Sequence, residues 1–215
     1  MKIAVLGTGT VGTTIASKLV SLGHEVMMGS RDAANAKGAA WATKVGGTAR
    51  HGTFSQAATF GEIVFNCTAG TGALQALEAA GAENLGDKVL IDVSNPLDFS
   101  KGMPPALLFP GNDSLGERIQ QAFPRSRVVK TLNTITASLM VEPGRVSGEH
   151  DVFVSGNDAQ AKAFVSRILR EWLGWKRVVD LGDIKTSRGA EAYVLFWVHL
   201  WGSLGTADFN ISVRR

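Results

Sequence analysis

The sequence predicts an α/β fold in which helices cover both faces of a mainly parallel, doubly wound sheet, with a helical C-terminal extension. Apolar runs of strand length alternate with segments of helical periodicity through most of the 215 residues, a pattern typical of strand-helix-strand units. The first apolar run is followed directly by the glycine-rich segment GTGTVG, which opens the first helical pattern. Together these two observations predict a parallel sheet.

The strand candidates are short apolar runs, and they lie at residues 2–6, 25–28, 48–50, 63–67, 89–93, 127–132 and 151–155. The first helix begins near Val11, and its apolar residues recur on one face at helical spacing. It ends at Gly23, which is free to adopt a positive φ. Further helices are predicted at residues 33–44, 72–80, 114–123 and 158–173.

Proline marks one long irregular segment. Four of the six prolines lie in residues 95–113, NPLDFSKGMPPALLFPGND, which predicts a loop after the fifth strand. Such a loop is either a binding loop or lid, or an ordinary variable surface loop. We expect a single domain, with a nucleotide-binding core at about residues 1–135 and a smaller part at about 136–215 packed on it.

Composition excludes several classes of protein. The net charge of +3 comes from 22 basic and 19 acidic residues without a basic run, which argues against a nucleic-acid partner and favours a phosphorylated small ligand. Cys67 is the only cysteine, so a reducing compartment is expected. The N-terminal segment does not fit a signal peptide. The apolar segment from Ala192 is shorter than the ~20 residues of a membrane span, so we expect a cytoplasmic protein without membrane contact.

The segment GTGTVG has the G-x-G-x-x-G spacing of dinucleotide-binding, Rossmann-type folds, and its place between a strand and a helix makes the match specific. Gly7 permits the tight turn, Gly9 lets the backbone approach the pyrophosphate, and Gly12 lets the helix pack against the strand. The N–H groups at the helix N-terminus then bind phosphate. The expected pyrophosphate residues are Gly7, Thr8, Gly9, Thr10, Val11 and Gly12.

The segment VMMGSRD after the second strand indicates which nicotinamide cofactor is bound. An acidic residue here binds the ribose 2′-hydroxyl of NAD, but this chain has Ser30 and Arg31. A guanidinium and a hydroxyl suit a 2′-phosphate, so NADP(H) is the predicted cofactor. Lys37 adds a second positive charge or is an ordinary solvated lysine. Asp32 is expected to cap the helix beginning near Ala33.

The nicotinamide half is expected at the residues that follow strands four, five and six, because ligands of such sheets lie across the carboxyl ends of the strands. Asn95 and Asn133 can bond the ribose hydroxyls or the carboxamide, with turn capping as the alternative role. The predicted residues of this half are Cys67, Thr68, Ala69, Asn95, Pro96, Asn133, Thr134 and Ile135.

The segments GTGTVG, GHEVMMGSR, KTLNTI and DVFVSGNDAQAK occur in this order, and with them the chain resembles the NADP oxidoreductases that use coenzyme F420, a deazaflavin. It also resembles the related N-terminal domain of the STEAP metalloreductases. The resemblance runs essentially end to end, including residues 180–192, and implies hydride transfer between NADPH and a flavin-like ring. Two departures concern the acceptor and the phosphate site. Asn133 stands where F420-dependent members have histidine, and Asn35 stands where a lysine often follows the GSR segment.

No catalytic acid is evident, and hydride transfer between two redox rings needs chiefly alignment. We therefore assign no catalytic residue and expect Asn133 and Ile135 to line the hydride-transfer site. The predicted activity is hydride transfer between NADPH and F420 or a flavin-like acceptor. One alternative is an NADPH-dependent reductase of a small carbonyl or imine, with Tyr193 or His199 as acid. Another is an NADP(H)-sensing module without catalysis.

The aromatic C-terminal segment predicts an interface. Phe196, Trp197 and Trp201 recur at helical spacing beside His199, and such a stripe is more often core or subunit contact than catalytic. We expect a homodimer. No metal site is predicted.

Overall fold

The computed structural model describes residues 1–214. Its ten strands are β1 (Lys2–Leu6), β2 (Glu25–Ser30), β3 (Ala49–Thr53), β4 (Ile63–Asn66), β5 (Val89–Asp92), β6 (Leu97–Asp98), β7 (Ala106–Leu107), β8 (Arg127–Thr131), β9 (Asp151–Ser155) and β10 (Arg177–Gly182). The α-helices are α1 (Thr10–Ser21), α2 (Ala36–Val45), α3 (Phe54–Phe60), α4 (Ala73–Ala80), α5 (Ala82–Leu85), α6 (Leu115–Ala122), α7 (Ala137–Val141), α8 (Ala159–Arg167) and α9 (Ser187–Leu204).

Eight strands form one sheet in the order β10-β9-β8-β5-β4-β1-β2-β3, and β6 pairs with β7 in a separate hairpin. All neighbours in the large sheet are parallel except β8 and β9. The chain runs outward from β1 to β3 and then returns to place β4 on the other side of β1. This reversal creates a crevice at the carboxyl ends of β1 and β4, where ligands of such sheets bind.

The central strands are apolar on both sides because helices cover both faces. Ile3 and Val5 belong to the core packed under α1, whereas Ala4 and Leu6 belong to the core on the opposite face, under α3 and α4. This alternation follows from the two-residue period of a strand. The buried central position of β1 places the loop after Leu6 at the crevice.

The predicted fold class is confirmed, and each of the seven predicted strands is present. The sequence pattern did not predict α3, α5, α7 and β10, and the predicted irregular loop contains the β6-β7 hairpin. The helix predicted at 158–173 ends its α-helical part at Arg167 and continues as a π-helical stretch, Ile168–Trp172.

The prediction that Asp32 caps the second helix was wrong. The helix begins at Ala36, and its cap is Asn35, whose side chain accepts a hydrogen bond from the Gly38 N–H. Asp32 instead accepts a hydrogen bond from the Ala34 N–H at 2.8 Å, in a turn that precedes the helix. Because this turn uses the Asp32 carboxylate, the helix is capped by Asn35, three residues later in the chain.

The part of the chain after residue 135 adds β9 and β10 to the same sheet, and α9 packs against α6 and the β6-β7 hairpin. Over residues 1–214, no helix has both the length and the apolar character needed to cross a bilayer.

Candidate functional site

The glycine loop joins β1 to α1 at the crevice. Gly7 has a φ of +115°, and a Cβ there would lie 2.6 Å from the Cys67 carbonyl oxygen, so only glycine fits. A Cβ at Gly12 would lie 2.1 Å from the Gly7 carbonyl oxygen. At Gly9, in contrast, a Cβ would meet no atom within 4 Å. The loop is therefore closed on its protein side and open on its solvent side.

Helix α1 presents an uncapped N-terminus to this open space. No side chain caps the helix at Gly9, so the first N–H groups remain available, and the helix dipole favours an anion here. The adjacent cavity of about 940 Å³ extends between α1 and α2 and is lined by Thr8, Gly9, Thr10 and three lysines, Lys18, Lys37 and Lys44. The cavity therefore begins at the backbone donors of the glycine loop and extends along α1 and α2, where its lining includes these lysines and also Glu142.

Ser30 and Arg31 lie where β2 ends, next to the glycine loop, since the Gly7 N–H donates to the Gly29 carbonyl oxygen at 2.9 Å; neither residue lines the cavity. The Arg31 side chain is exposed and forms no ion pair within residues 1–214, which leaves its guanidinium available to a ligand. Ser30 is buried, and its hydroxyl donates to the Asp32 carbonyl oxygen at 2.6 Å. Ser30 thus shapes the turn and has to rotate its hydroxyl before it can donate to a phosphate. Lys37 lies in the first turn of α2 and is exposed.

A second cavity, of about 470 Å³, lies at the carboxyl ends of β4 and β5. It is lined by Val11, Cys67, Thr68, Ala69, Gly70, Thr71, Val93, Ser94, Asn95, Leu97 and Phe99. Most of these residues are small or apolar, and Phe99 stands exposed at the mouth on the β6-β7 hairpin. Burial and the nearby charge of Asp92 raise the pKa of the Cys67 thiol far above its usual value, so this wall carries no thiolate.

Asn95 and Asn133 form a reciprocal amide pair behind this cavity. Asn133 donates through Nδ2 to Asn95 Oδ1 at 3.0 Å and to the Ala190 carbonyl oxygen at 3.1 Å, and Asn95 Nδ2 donates to the Asn133 carbonyl oxygen at 2.8 Å. Both amide protons of Asn133 are therefore used. Leu132, which precedes it, has a φ of 62°, a costly conformation for a leucine that turns the chain into this pair.

The remaining predicted residues of the nicotinamide half lie deeper. Thr134 and Ile135 are buried and, like Asn133, line neither of the two cavities. The Thr134 hydroxyl has no hydrogen-bond partner in the described chain. Pro96 packs against Gly70, where a Cβ would lie 2.8 Å from the Pro96 Cα. The structure thus gathers Cys67, Thr68, Ala69 and Asn95 at the cavity and places the others in its supporting layer.

The whole chain matches a solved structure from Arthrobacter sp. FB24 that carries the provisional name F420-dependent NADP reductase. The two chains are 54% identical, the match covers 100% of each, and the TM-score is 0.95. The chain belongs to the family of coenzyme F420-dependent NADP oxidoreductases. The family model, described as NADP oxidoreductase coenzyme F420-dependent, matches residues 2–96. This range contains the glycine loop and all residues that line the second cavity except Leu97 and Phe99.

More distant relatives agree with this assignment to the F420-dependent NADP oxidoreductases. The F420-dependent NADP reductase of Methanocaldococcus jannaschii is 28% identical over 201 residues, which cover 89% of this chain and 88% of that protein. Metalloreductase STEAP3 of Rattus norvegicus is 27% identical over 200 residues, or 93% of this chain. The chain spans only 38% of the length of that metalloreductase. The resemblance predicted from the sequence is confirmed.

The two candidate acids of the carbonyl or imine alternative line neither cavity of this family member. Tyr193 and His199 are on α9. The Tyr193 hydroxyl is buried without a hydrogen-bond partner in residues 1–214, and burial raises the pKa of Tyr193. His199 is exposed. In the described residues no three His, Cys, Asp or Glu side chains converge as metal ligands would.

Sequence reading missed a buried polar layer beneath the second cavity. Asp92 accepts hydrogen bonds from Asn66 Nδ2 at 2.8 Å and from the Ser94 hydroxyl at 2.7 Å. Lys130 and Glu191 continue the layer towards α9. The usable signal was a charged residue next to an apolar strand segment, Asp92 after VLI and Lys130 after VV, because such charges are buried only when paired.

Proposed function

We propose that the protein transfers a hydride between NADPH and coenzyme F420, a small-molecule redox acceptor. The observation that carries the proposal is the uncapped helix N-terminus at the glycine loop, open at Gly9, with Arg31 nearby and in no ion pair within residues 1–214, in a chain of this family. The names of the Arthrobacter and Methanocaldococcus relatives support the acceptor. The carbonyl or imine alternative has less support, because Tyr193 and His199 are not among the residues that line the two cavities.

The residues present fit the phosphates of NADP(H). The N–H groups at Gly9, Thr10 and Val11 bind the diphosphate, because the space beside Gly9 is open and the N-terminus of α1 is uncapped. Gly7 and Gly12 keep the loop tight, and the Thr8 hydroxyl lines the same opening. Arg31 binds the 2′-phosphate with its guanidinium, assisted by Lys37 and, after rotation of its hydroxyl, by Ser30.

The nicotinamide half occupies the second cavity. NADPH supplies the hydride when it is bound. Thr68 and Ala69 form a narrow wall beside Cys67, whose neutral thiol adds no charge to the site. Asn95 retains one free amide proton for the carboxamide or ribose. Thr134 and Ile135 support this wall from behind, together with Asn133 and Pro96. Because the acceptor is itself a redox ring, the protein needs to align and desolvate the two rings rather than donate a proton.

The experiment is to mix the purified protein with NADPH and, separately, coenzyme F420, FMN and FAD, and to follow loss of the reduced-nicotinamide absorbance. Turnover with F420 well above that with either flavin is expected. A cyclic imine and a small ketone in parallel reactions serve as controls for the alternative chemistry. Binding of NADPH without turnover of any acceptor would contradict the proposal and favour the sensing module.

We also propose that the protein acts in the cytoplasm as a homodimer. Phe196, Trp201 and Leu204 leave an apolar face of α9 exposed, at 56%, 43% and 54% of their full surface, and exposed apolar faces of this kind are typical of subunit contacts. The chain is proposed to act as one domain, with its nucleotide-binding core at about residues 1–135 and the part at about 136–215 packed on it.

A further inference from the structure

Three charged side chains meet in the interior between the sheet and α9. The ammonium of Lys130 on β8 lies 2.7 Å from Asp92 Oδ2 on β5 and 2.9 Å from Glu191 Oε1 on α9. The side chains of Lys130 and Asp92 are fully buried, and that of Glu191 is 3% exposed. Removing such charges from water is costly, so the cluster persists only because its members satisfy one another.

The third donor of Lys130 reaches the backbone of the proposed active site. An ammonium has three N–H donors, and the one not used by the carboxylates donates to the Ser94 carbonyl oxygen at 2.6 Å. Ser94 lines the second cavity and is followed by Asn95, which also lines it. Lys130 itself lines neither cavity. The lysine therefore bonds the cavity wall from behind.

At the α9 end of the cluster, Glu191 lies next to the residue that holds Asn133, the partner of Asn95. Glu191 accepts hydrogen bonds from the backbone N–H groups of Leu115 at 2.9 Å and Gly116 at 3.0 Å, so it also anchors the N-terminus of α6. The residue before it, Ala190, accepts the hydrogen bond from Asn133 Nδ2. One ammonium thus ties the loop after β5 to the start of α9, and the Asn95–Asn133 pair lies between these two anchors.

We propose that Lys130 is a positioning residue for the nicotinamide half of the cofactor, acting through Ser94 and Glu191 to hold the Asn95–Asn133 pair at the cavity. The proposal rests on the NADP(H) binding proposed above. It assigns Lys130 no contact with the phosphates, because Lys130 is buried and lines neither cavity. Loss of Lys130 should therefore weaken binding of the nicotinamide half and leave binding of the phosphate-bearing half unchanged.

The variant that tests this is Lys130→Met combined with Glu191→Gln. Lys130→Met alone leaves two buried carboxylates without a cation, which is strongly destabilising, whereas the double variant leaves only Asp92, which keeps its hydrogen bonds from Asn66 and the Ser94 hydroxyl. Glu191→Gln alone retains the bond from Lys130 to Ser94 and weakens only the anchor on α9. The matched control is Lys88→Met, because the Lys88 ammonium also donates to a backbone carbonyl, that of Ala58 at 2.6 Å, remote from both cavities.

Two probes are titrated by calorimetry into each variant that unfolds cooperatively on heating: 2′,5′-ADP, which is the phosphate-bearing adenosine half, and NADP⁺. In the double variant we expect an affinity for NADP⁺ about tenfold weaker, as the loss of one hydrogen bond produces, and an unchanged affinity for 2′,5′-ADP. Glu191→Gln should show a smaller loss, again confined to NADP⁺. Lys88→Met should bind both probes as the wild type does.

Equal losses for both probes, or wild-type NADP⁺ affinity in the double variant, would overturn the positioning role. If the double variant does not fold, Glu191→Gln provides the test. A loss of affinity confined to NADP⁺ supports the positioning role, and a loss shared by 2′,5′-ADP would indicate a structural role only. Both affinities are measured without an acceptor. Failure of F420 turnover in the wild type would thus count against the proposed function and not against Lys130.

Discussion

The three glycines of the loop have different roles, which can be distinguished by the atoms that surround each one. Gly7 and Gly12 are surrounded by backbone atoms of the protein, whereas Gly9 faces the open cavity. A methyl group added at Gly12 therefore collides with the fold, and one added at Gly9 collides only with a ligand. Folding and binding can be tested independently at positions three residues apart.

We expect Gly9→Ala to change the free energy of unfolding by less than about 1 kcal/mol, because its φ of −80° suits alanine. The methyl group occupies the space in which a diphosphate would approach. The affinity for NADP(H) should therefore fall by about tenfold or more, which corresponds to the cost of about 1–3 kcal/mol that overpacking produces. Gly12→Ala should instead destabilise the fold by about 3 kcal/mol or more. Urea unfolding and NADPH titration of both variants measure these effects, and a stable Gly12→Ala protein would contradict the packing described.

Arg31 should decide between NADPH and NADH. Arg31→Asp removes charged hydrogen bonds worth about 1.5–3 kcal/mol each and adds a repelling charge, so NADPH affinity should fall by about a hundredfold with a far smaller effect on NADH. Fluorescence titration of both cofactors measures the ratio. Comparable losses for NADPH and NADH would mean that Arg31 supports the loop or stacks on adenine without binding the phosphate.

Single residues differ in how far the sequence reveals their roles. Gly7, Gly9 and Arg31 were predictable because their roles depend on local spacing along one strand, turn and helix. The pairing of Asn95 with Asn133 was not, because it depends on strands that are 38 residues apart in the chain meeting side by side. The same distance separates Asp92 from Lys130. Asn95 and Asn133 could be identified as polar residues at strand ends, but not as partners.

At the scale of elements, strong apolar runs were predicted well and weak signals were missed. Strand β10 is largely half-buried or exposed, so it lacks the continuous apolar run of the central strands. Helix α3 is only 7 residues long, yet Thr53 and Gln56 form a complete capping box at its start, a signal present in the sequence as TFSQ. The short length of α3, not its chemistry, hid it from a search for helical periodicity.

A bidentate ion pair joins α6 to α9 and should make the stability of the fold depend on pH. Arg188 donates to both carboxylate oxygens of Glu117, at 2.8 and 2.6 Å, and these bonds lower the pKa of Glu117 below its usual 4.5. A lowered folded-state pKa means that the stabilisation is present above the unfolded value and is lost as pH falls through the folded value. The pair is partly exposed, so about 1 kcal/mol is expected.

Glu117→Gln should therefore be less stable than the wild type by about 1 kcal/mol at pH 7, and the difference should shrink as the pH falls below about 4.5. Urea unfolding across this range measures it. Glu62→Gln is the control, because Glu62 is exposed and has no ion pair within residues 1–214. A difference that stays constant down to pH 3 would show that Glu117 contributes through packing and not through its charge.

At the scale of the whole molecule, the sheet runs without interruption from β3 to β10. The antiparallel pairing of β8 with β9 joins the expected nucleotide-binding core to the later part of the chain. The doubly wound class was predictable from the alternation of strands and helices. The antiparallel step was not, because neither the length nor the composition of residues 132–150 fixes the direction in which β9 returns.

The proposed homodimer is also tested at this scale. Phe196→Glu combined with Leu204→Glu places two negative charges on the exposed face of α9, and burying them without a cation in a contact would cost several kcal/mol. We expect wild-type protein to sediment as a dimer and the double variant as a folded monomer. Lys101→Glu, on the β6-β7 hairpin, is the control. A wild-type monomer, or a variant that stays dimeric, would contradict a contact through α9.

The buried thiol of Cys67 has a practical consequence for studying the protein in solution. Maleimides and other thiol reagents attack the thiolate, and burial keeps this sulfur protonated and covered. The natural chain therefore provides an unreactive background for site-specific labelling. A cysteine introduced in place of Phe99, at the mouth of the second cavity, would be the single accessible attachment point, and a fluorophore bound there would report directly on what enters the cavity.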